Sequence, residues 1–177
     1  LCGFSSDQDS LFCPYLDREL PNPYHYLKHI YRSRSSEERL WYRGINHGDL
    51  NMQNIDFARL EPIFRLEMVR LDNEKDLSDL VSFEAGLALA SMIGEPPPLF
   101  YVGDDPMVFK AHRLICRLRE YAAKTVIFET DLTPYLLALL QWIYPVVCYS
   151  TAGILTKKLA VYSAALLVEQ IMRLESE

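Results

Sequence analysis

Glycine is scarce in this chain: seven residues in 177, and they are scattered. No GxGxxG run occurs, so a glycine-rich loop of that pattern is not there to cover a phosphate chain. No lysine stands in a V-A-x-K strand context. Lys28 lies in HYLKHIY, which reads as helix. The four cysteines, Cys2, Cys13, Cys116 and Cys148, form no CxxC pair, which leaves no metal or disulfide framework to read. Cys116 and Cys148 fall in apolar runs and read as small core residues, and a reducing, cytoplasmic compartment is the expectation. The longest apolar stretch, Tyr135 to Tyr149, is interrupted by Gln141 and Pro145. It falls short of the ~20 residues a spanning helix needs, so no membrane association is expected. LCGFSSDQDS has no basic n-region of the kind that opens a signal peptide. A basic excess is missing too: the formal net charge is −6, which argues against a nucleic-acid partner.

What is present is helical periodicity. The length suffices for one domain with a sizeable core. Tyr24 to Arg32 has apolar residues at helical spacing. Ile63, Leu66, Met68, Val69 and Leu71 form an amphipathic segment, and Asp76 to Met92 forms a second, ended by Gly94 and Pro96-Pro97-Pro98. Val108 to Ala123 repeats apolar residues at three and four, with Lys110, Arg113, Arg117, Arg119 and Lys124 assigned to the opposite face. Thr133-Pro134 opens a further helix, Thr133 as N-cap and Pro134 at the first helical position. Thr156 to about Leu174 is the last. Residues 1–24, rich in Ser, Asp and Pro, read as irregular. No internal repeat or low-complexity tract is found.

The chemistry concentrates in one stretch. His47-Gly48-Asp49-Leu50-Asn51-Met52-Gln53-Asn54 reads HGDLNMQN, and Ile55-Asp56-Phe57-Ala58 reads IDFA. Phosphoryl transfer uses a carboxylate near the acceptor hydroxyl, with an amide oxygen and a second carboxylate to hold Mg²⁺ against the nucleotide phosphates. HGDxxxxN followed by a hydrophobic-Asp-Phe triplet supplies those three groups. The alternative reading is a loop whose His and Asp merely cap a helix.

On these residues the chain resembles the aminoglycoside phosphotransferase and choline kinase branch of the protein-kinase-like superfamily. The resemblance implies that Asp49 accepts the acceptor's proton or orients its hydroxyl, and that Asn54 and Asp56 hold Mg²⁺. It implies that His47 braces the loop and that Gly48 allows the tight turn before Asp49. ATP and Mg²⁺ are the implied cofactors, and a nucleotide and a small-molecule acceptor the implied partners. The implied fold is mainly α (α+β overall): the helical C-terminal lobe of a kinase-like fold over residues 41–177. Residues 1–40 would form an irregular remnant of an incomplete or absent N-terminal sheet lobe. The order IDFAR, FRLE, LSDLVSFE, RLICRLREYA, YSAALLVEQ further resembles phosphotransferase-like domains of large bacterial signalling or conflict-system proteins, which implies a larger multidomain assembly.

One departure stands out. In the family a β-hairpin separates the loop Asn from the metal-binding Asp, whereas Asn54 and Asp56 are two residues apart. About ten residues of paired strand and turn are lacking. Three explanations compete: segments joined near 54–55, 58–60 and 94–106 that are not true neighbours, a decayed site, or an accidental match. The first is favoured, because the pattern resumes cleanly on both sides.

Other constellations have plainer explanations. His25 and His29 stand at i, i+4, but no third ligand is evident, so they read as surface or half-buried histidines. Arg113, Arg117 and Lys124 read as a solvated helix face rather than a phosphate stripe. Tyr24, Tyr26 and Tyr31 read as packing residues. Ser163, in a helix interior with no G-x-S-x-G, is discounted as a nucleophile. The leading expectation is an ATP- and Mg²⁺-dependent phosphotransferase acting on a small-molecule hydroxyl. The alternative is a catalytically silent kinase-like scaffold or sensor, and a third reading is an all-helical interaction domain.

Overall fold

The computed structural model describes residues 7–33, 52–125 and 132–176. It is mostly helical, with one small sheet among the described residues.

Residues 7–24 are more regular than expected. Strands β1 (Ser10–Cys13) and β2 (Arg18–Pro21) form an antiparallel hairpin in which Leu11 faces Leu20 and Cys13 faces Arg18. Leu11, Cys13 and Leu20 are buried while Ser10 and Phe12 face out, a period-2 alternation too short to register against the Ser, Asp and Pro around it. Asp17 completes the turn at φ 49°, a left-handed conformation that Asp tolerates better than most residues. Asn22 then links hairpin and helix. Its Nδ2 donates to Gln8 O at 2.8 Å and its Oδ1 accepts from Tyr24 N at 3.1 Å, so it caps α1 (Pro23–Ser33) with proline in the first turn.

Helix α2 (Met52–Pro62) runs unbroken through positions 54–55 and 58–60 and enters a π-helical turn, Ile63–Glu67, closed by Met68 N donating to Ile63 O at 3.0 Å. The amphipathic helix expected over 63–71 is therefore limited to this turn. Helix α3 (Glu74–Leu87) starts at Asn73, whose side chain accepts from Lys75 N and Asp76 N, with Glu74 and Asp76 in a first turn that favours negative charge. It ends five residues before the expected Met92. Just past that end, side chains from the far end of the chain take the carbonyls of residues 88–90. Arg173 Nη2 donates to Ala88, Leu89 and Ala90 at 3.2–3.3 Å, and Gln170 Nε2 donates to Ala90 O at 2.7 Å.

Residues 95–105 cross α3 without regular structure. Gly86 permits the crossing: a Cβ there would lie 2.4 Å from Pro98 O. Asp105 Oδ1 accepts from Met107 N at 2.8 Å and so opens α4 (Pro106–Thr125). Helix α5 (Thr133–Ile143) starts one residue earlier than expected. Leu132 holds the cap position without a side-chain bond, and Thr133 is already helical. Pro145 then diverts the chain into a 3₁₀ turn, Tyr144–Cys148. Helix α6 (Ile154–Leu174) closes the fold.

The core sits around α5 and α6. Residues 135–140 and 159–168 are buried without interruption, as expected of helices enclosed on all sides. Helices α3 and α5 pack against α6, α2 lies on α5, and β2 lies on α6. No helix among the described residues is long and apolar enough to cross a membrane. Of the two cysteines expected in the core, Cys116 is partly buried and Cys148 is exposed, because the 3₁₀ turn carries it off the apolar side.

Candidate functional site

His47, Gly48 and Asp49 lie outside the described residues. The backbone of Asn54 and Asp56 belongs to α2. Two positions on one α-helix are about 200° apart around its axis, at 100° per residue, and no hairpin intervenes between them.

The densest chemistry among the described residues begins five positions after Asp56, at Glu61. Its carboxylate is fully buried and accepts from three elements. Oε1 receives Arg65 Nε at 2.9 Å, Arg65 Nη2 at 2.6 Å and Arg119 Nη2 at 2.8 Å. Oε2 receives Arg119 Nε at 3.1 Å and the Tyr135 hydroxyl at 2.6 Å. Arg65 turns its remaining nitrogen, Nη1, to Glu84 Oε2 at 2.5 Å. Arg119 also lies over the Tyr135 ring, with Cζ 5.7 Å from the centroid. Both arginines and both glutamates are at most 2 % exposed, so the network is closed to solvent. Its elements are α2 (Glu61), the π turn (Arg65), α3 (Glu84), α4 (Arg119) and α5 (Tyr135).

The two carboxyls have opposite electrostatics. Burial would raise the Glu61 pKa. The charge of Arg119 and then of Arg65, with hydrogen bonds from Arg119 and Tyr135, outweighs burial and holds the carboxyl at about 2. At Glu84 burial wins, against the pull of Arg65 and then of the Ser163 hydroxyl, and the carboxyl is pushed up. Glu84 Oε1 and Ser163 Oγ both lack a partner in hydrogen-bonding geometry among the described residues, as does Arg119 Nη1. Burial and then the adjacent Glu61 charge push the Tyr135 phenol well above its ordinary value. Glu61 takes five donor contacts and stays ionised far below neutral pH, so it is no general base. It is an anchor.

Arg119 corrects the sequence reading, which placed it on the polar face of α4. It is fully buried. The signal was there: position 119 follows the buried Ile115 by four residues and precedes the buried Ala122 by three, so it belongs to the apolar stripe. Arg117 and Lys124 do face solvent, and both pair with Glu120. For Glu61 the sequence offered no signal, because α2 lacks a regular apolar stripe.

Two surface clefts flank this region. One, of about 490 Å³, runs beside α2 between Arg59, Ile63, Trp142, Tyr149 and Gly153, with the Arg59 guanidinium 5.0 Å from the Trp142 ring centroid. The other, of about 430 Å³, is polar and lies between the start of α3 at Asn73, Asp76 and Asp79 and the loop at Tyr101–Asp105. His25 Nδ1 sits 3.2 Å from Asp9 Oδ1, which ties α1 to the hairpin. Among the described residues no three His, Cys, Asp or Glu side chains converge to hold a metal ion. Comparison with protein-family models, with curated proteins and with solved structures finds no match to this chain.

Proposed function

We propose that the chain is an ATP- and Mg²⁺-dependent phosphotransferase acting on a small-molecule hydroxyl, built as the helical lobe of a kinase-like fold. The observation that carries the reading is the sequence HGDLNMQN-IDFA, which holds all three polar groups of phosphoryl transfer within eight residues. Asp49 orients the acceptor hydroxyl, while Asn54 and Asp56 hold Mg²⁺. Retention of all three supports activity, since a carboxylate that has lost its metal partner is costly to keep in a dry site.

A second reading, a silent kinase-like scaffold or sensor within a larger assembly, is favoured by the uninterrupted helix over Asn54 and Asp56 and by the missing glycine-rich loop. Calorimetry with Mg²⁺ and ATP, with Asp56→Ala as control, separates the two. Binding that requires both the metal and Asp56 is the expected outcome for the phosphotransferase. No binding at millimolar nucleotide selects the scaffold. In the active case Asp49→Ala abolishes turnover while the circular dichroism spectrum stays unchanged.

A further inference from the structure

We propose that the cleft beside α2 binds a small, flat aromatic molecule carrying one carboxylate. The inference stands apart from the phosphotransferase reading and uses none of its residues. Five pieces of chain surround this space of about 490 Å³: the end of α2, the π turn, the end of α5, the 3₁₀ turn with the loop after it, and the start of α6. Small-molecule sites run from roughly 300 to 1,000 Å³. Two irregular turns open the cleft. The π turn leaves Ile63 outside the body, and the 3₁₀ turn at Pro145 leads the chain away past Trp142 to Tyr149. Ile63, Trp142 and Tyr149 are 39 %, 37 % and 50 % exposed, and all three line the cleft. Exposed apolar side chains scattered singly are ordinary, whereas three on the walls of one concavity mark a place where something apolar docks. Single π turns also recur at functional sites.

Arg59 sets the charge of the occupant. Its guanidinium lies over the Trp142 ring, with Cζ 5.0 Å from the centroid. Stacking engages the face of a guanidinium and leaves the N–H donors at its edge, in a fork that matches a carboxylate. No acceptor among the described residues takes those donors. Arg18, Arg65, Arg70, Arg117 and Arg119, by contrast, each hold a carboxylate. The start of α6 has the same sign: Gly153 holds its N-cap position, lines the cleft and has no side chain to bond the first amides. Glu67 lines the cleft as well, with no ion partner among the described residues. One guanidinium beside one carboxylate suits a monoanion and disfavours a polyphosphate, since like charges placed together are costly. The aromatic ring of the occupant packs against Tyr149 and Ile63, in the offset or edge-on geometry that ring pairs prefer.

The test is calorimetric titration of the full chain with indole-3-carboxylate. Indole supplies the ring without the charge, cyclohexanecarboxylate the charge without the ring, and AMP a phosphate in place of the carboxylate. The expected result is saturable binding of indole-3-carboxylate, at least tenfold tighter than that of the other three. Arg59→Gln weakens it at least tenfold and leaves indole within twofold of wild type. Gly153→Leu obstructs the cleft without touching its charges. A Cβ at Gly153 meets nothing within 4 Å and its φ of −64° suits any residue, so the fold accommodates the change. This variant weakens indole-3-carboxylate at least threefold. No saturation at millimolar indole-3-carboxylate overturns the proposal. Equal affinity for indole or cyclohexanecarboxylate overturns it too, as does AMP bound as tightly. Wild-type affinity in either variant places the binding elsewhere and overturns it as well. If Arg59→Gln does not fold, Gly153→Leu alone decides.

Discussion

Two buried regions of this protein are held together by different physics. Around α6, residues 159–168 meet α3 and α5 mainly through hydrocarbon, with Leu159, Leu166 and Leu167 at most 1 % exposed. At the junction of α2 with α4 and α5 the contact is ionic: Glu61, Arg65, Glu84 and Arg119 in a space closed to water. Hydrocarbon packing tolerates small slides and rotations, because its energy follows area. A carboxylate gripped by two guanidiniums and a phenol tolerates neither. The apolar contact is set by area, and the ionic one by direction.

The largest effect is expected where the ionic region is broken on one side. Arg119→Met removes both of its bonds to Glu61, together with one of the two positive charges facing that carboxylate, and costs about 3–5 kcal/mol of unfolding free energy. Leu166→Ala in the apolar region costs about 2–5 kcal/mol through lost burial and a cavity. Urea titrations check both. The comparison sharpens if the Leu166 loss is independent of pH and the Arg119 loss changes as carboxylates titrate below about pH 5.

A subtler effect separates the two glutamates. Glu84 is raised by burial, so its contribution to stability is complete below the unfolded carboxyl value of about 4.3 and is lost as pH rises through its folded value. Glu61 is depressed, so its contribution is complete above about 4.3 and lost as pH falls towards about 2. Glu84→Gln does not titrate. Its unfolding midpoint should gain on wild type as pH increases from 4 to 8, and a constant difference across that range would show that Glu84 does not carry this linkage.

The smallest effect belongs to the surface. Arg18 on β2 pairs with Glu169 on α6, Nη2 donating to Oε2 at 2.8 Å with both side chains over a third exposed. Arg18→Ala is expected to cost only about 0.2–1 kcal/mol and to become neutral at high salt. A larger loss would mean that the hairpin depends on this ion pair rather than on Leu11 and Leu20.

Much of the fold was legible in the amino-acid order. The helical class, the stripe from Val108 to Ala122 and the last helix to Leu174 all follow from local periodicity, and the structure reproduces them except at Tyr121, which the periodicity put in the stripe and which is 60 % exposed. The hairpin was not legible, because its strands are four residues long and rely on α6 to cover Leu20. The end of α3 was missed because the carbonyls just past it are taken by Arg173 and Gln170, eighty or more positions away. Of the residues proposed for the site, Asp49, Asn54 and Asp56 come from the sequence alone, and Asn54 and Asp56 turn out to share one helix.

The sequence by itself determined where helices form and which faces of them are apolar, since both depend on neighbours three and four residues apart. That period puts position 119 on the buried stripe, but it could not say what would pair with the Arg119 charge there. A buried arginine is tolerable only where a carboxylate waits for it, and Glu61 stands 58 residues away. Only the tertiary structure brought those charges together.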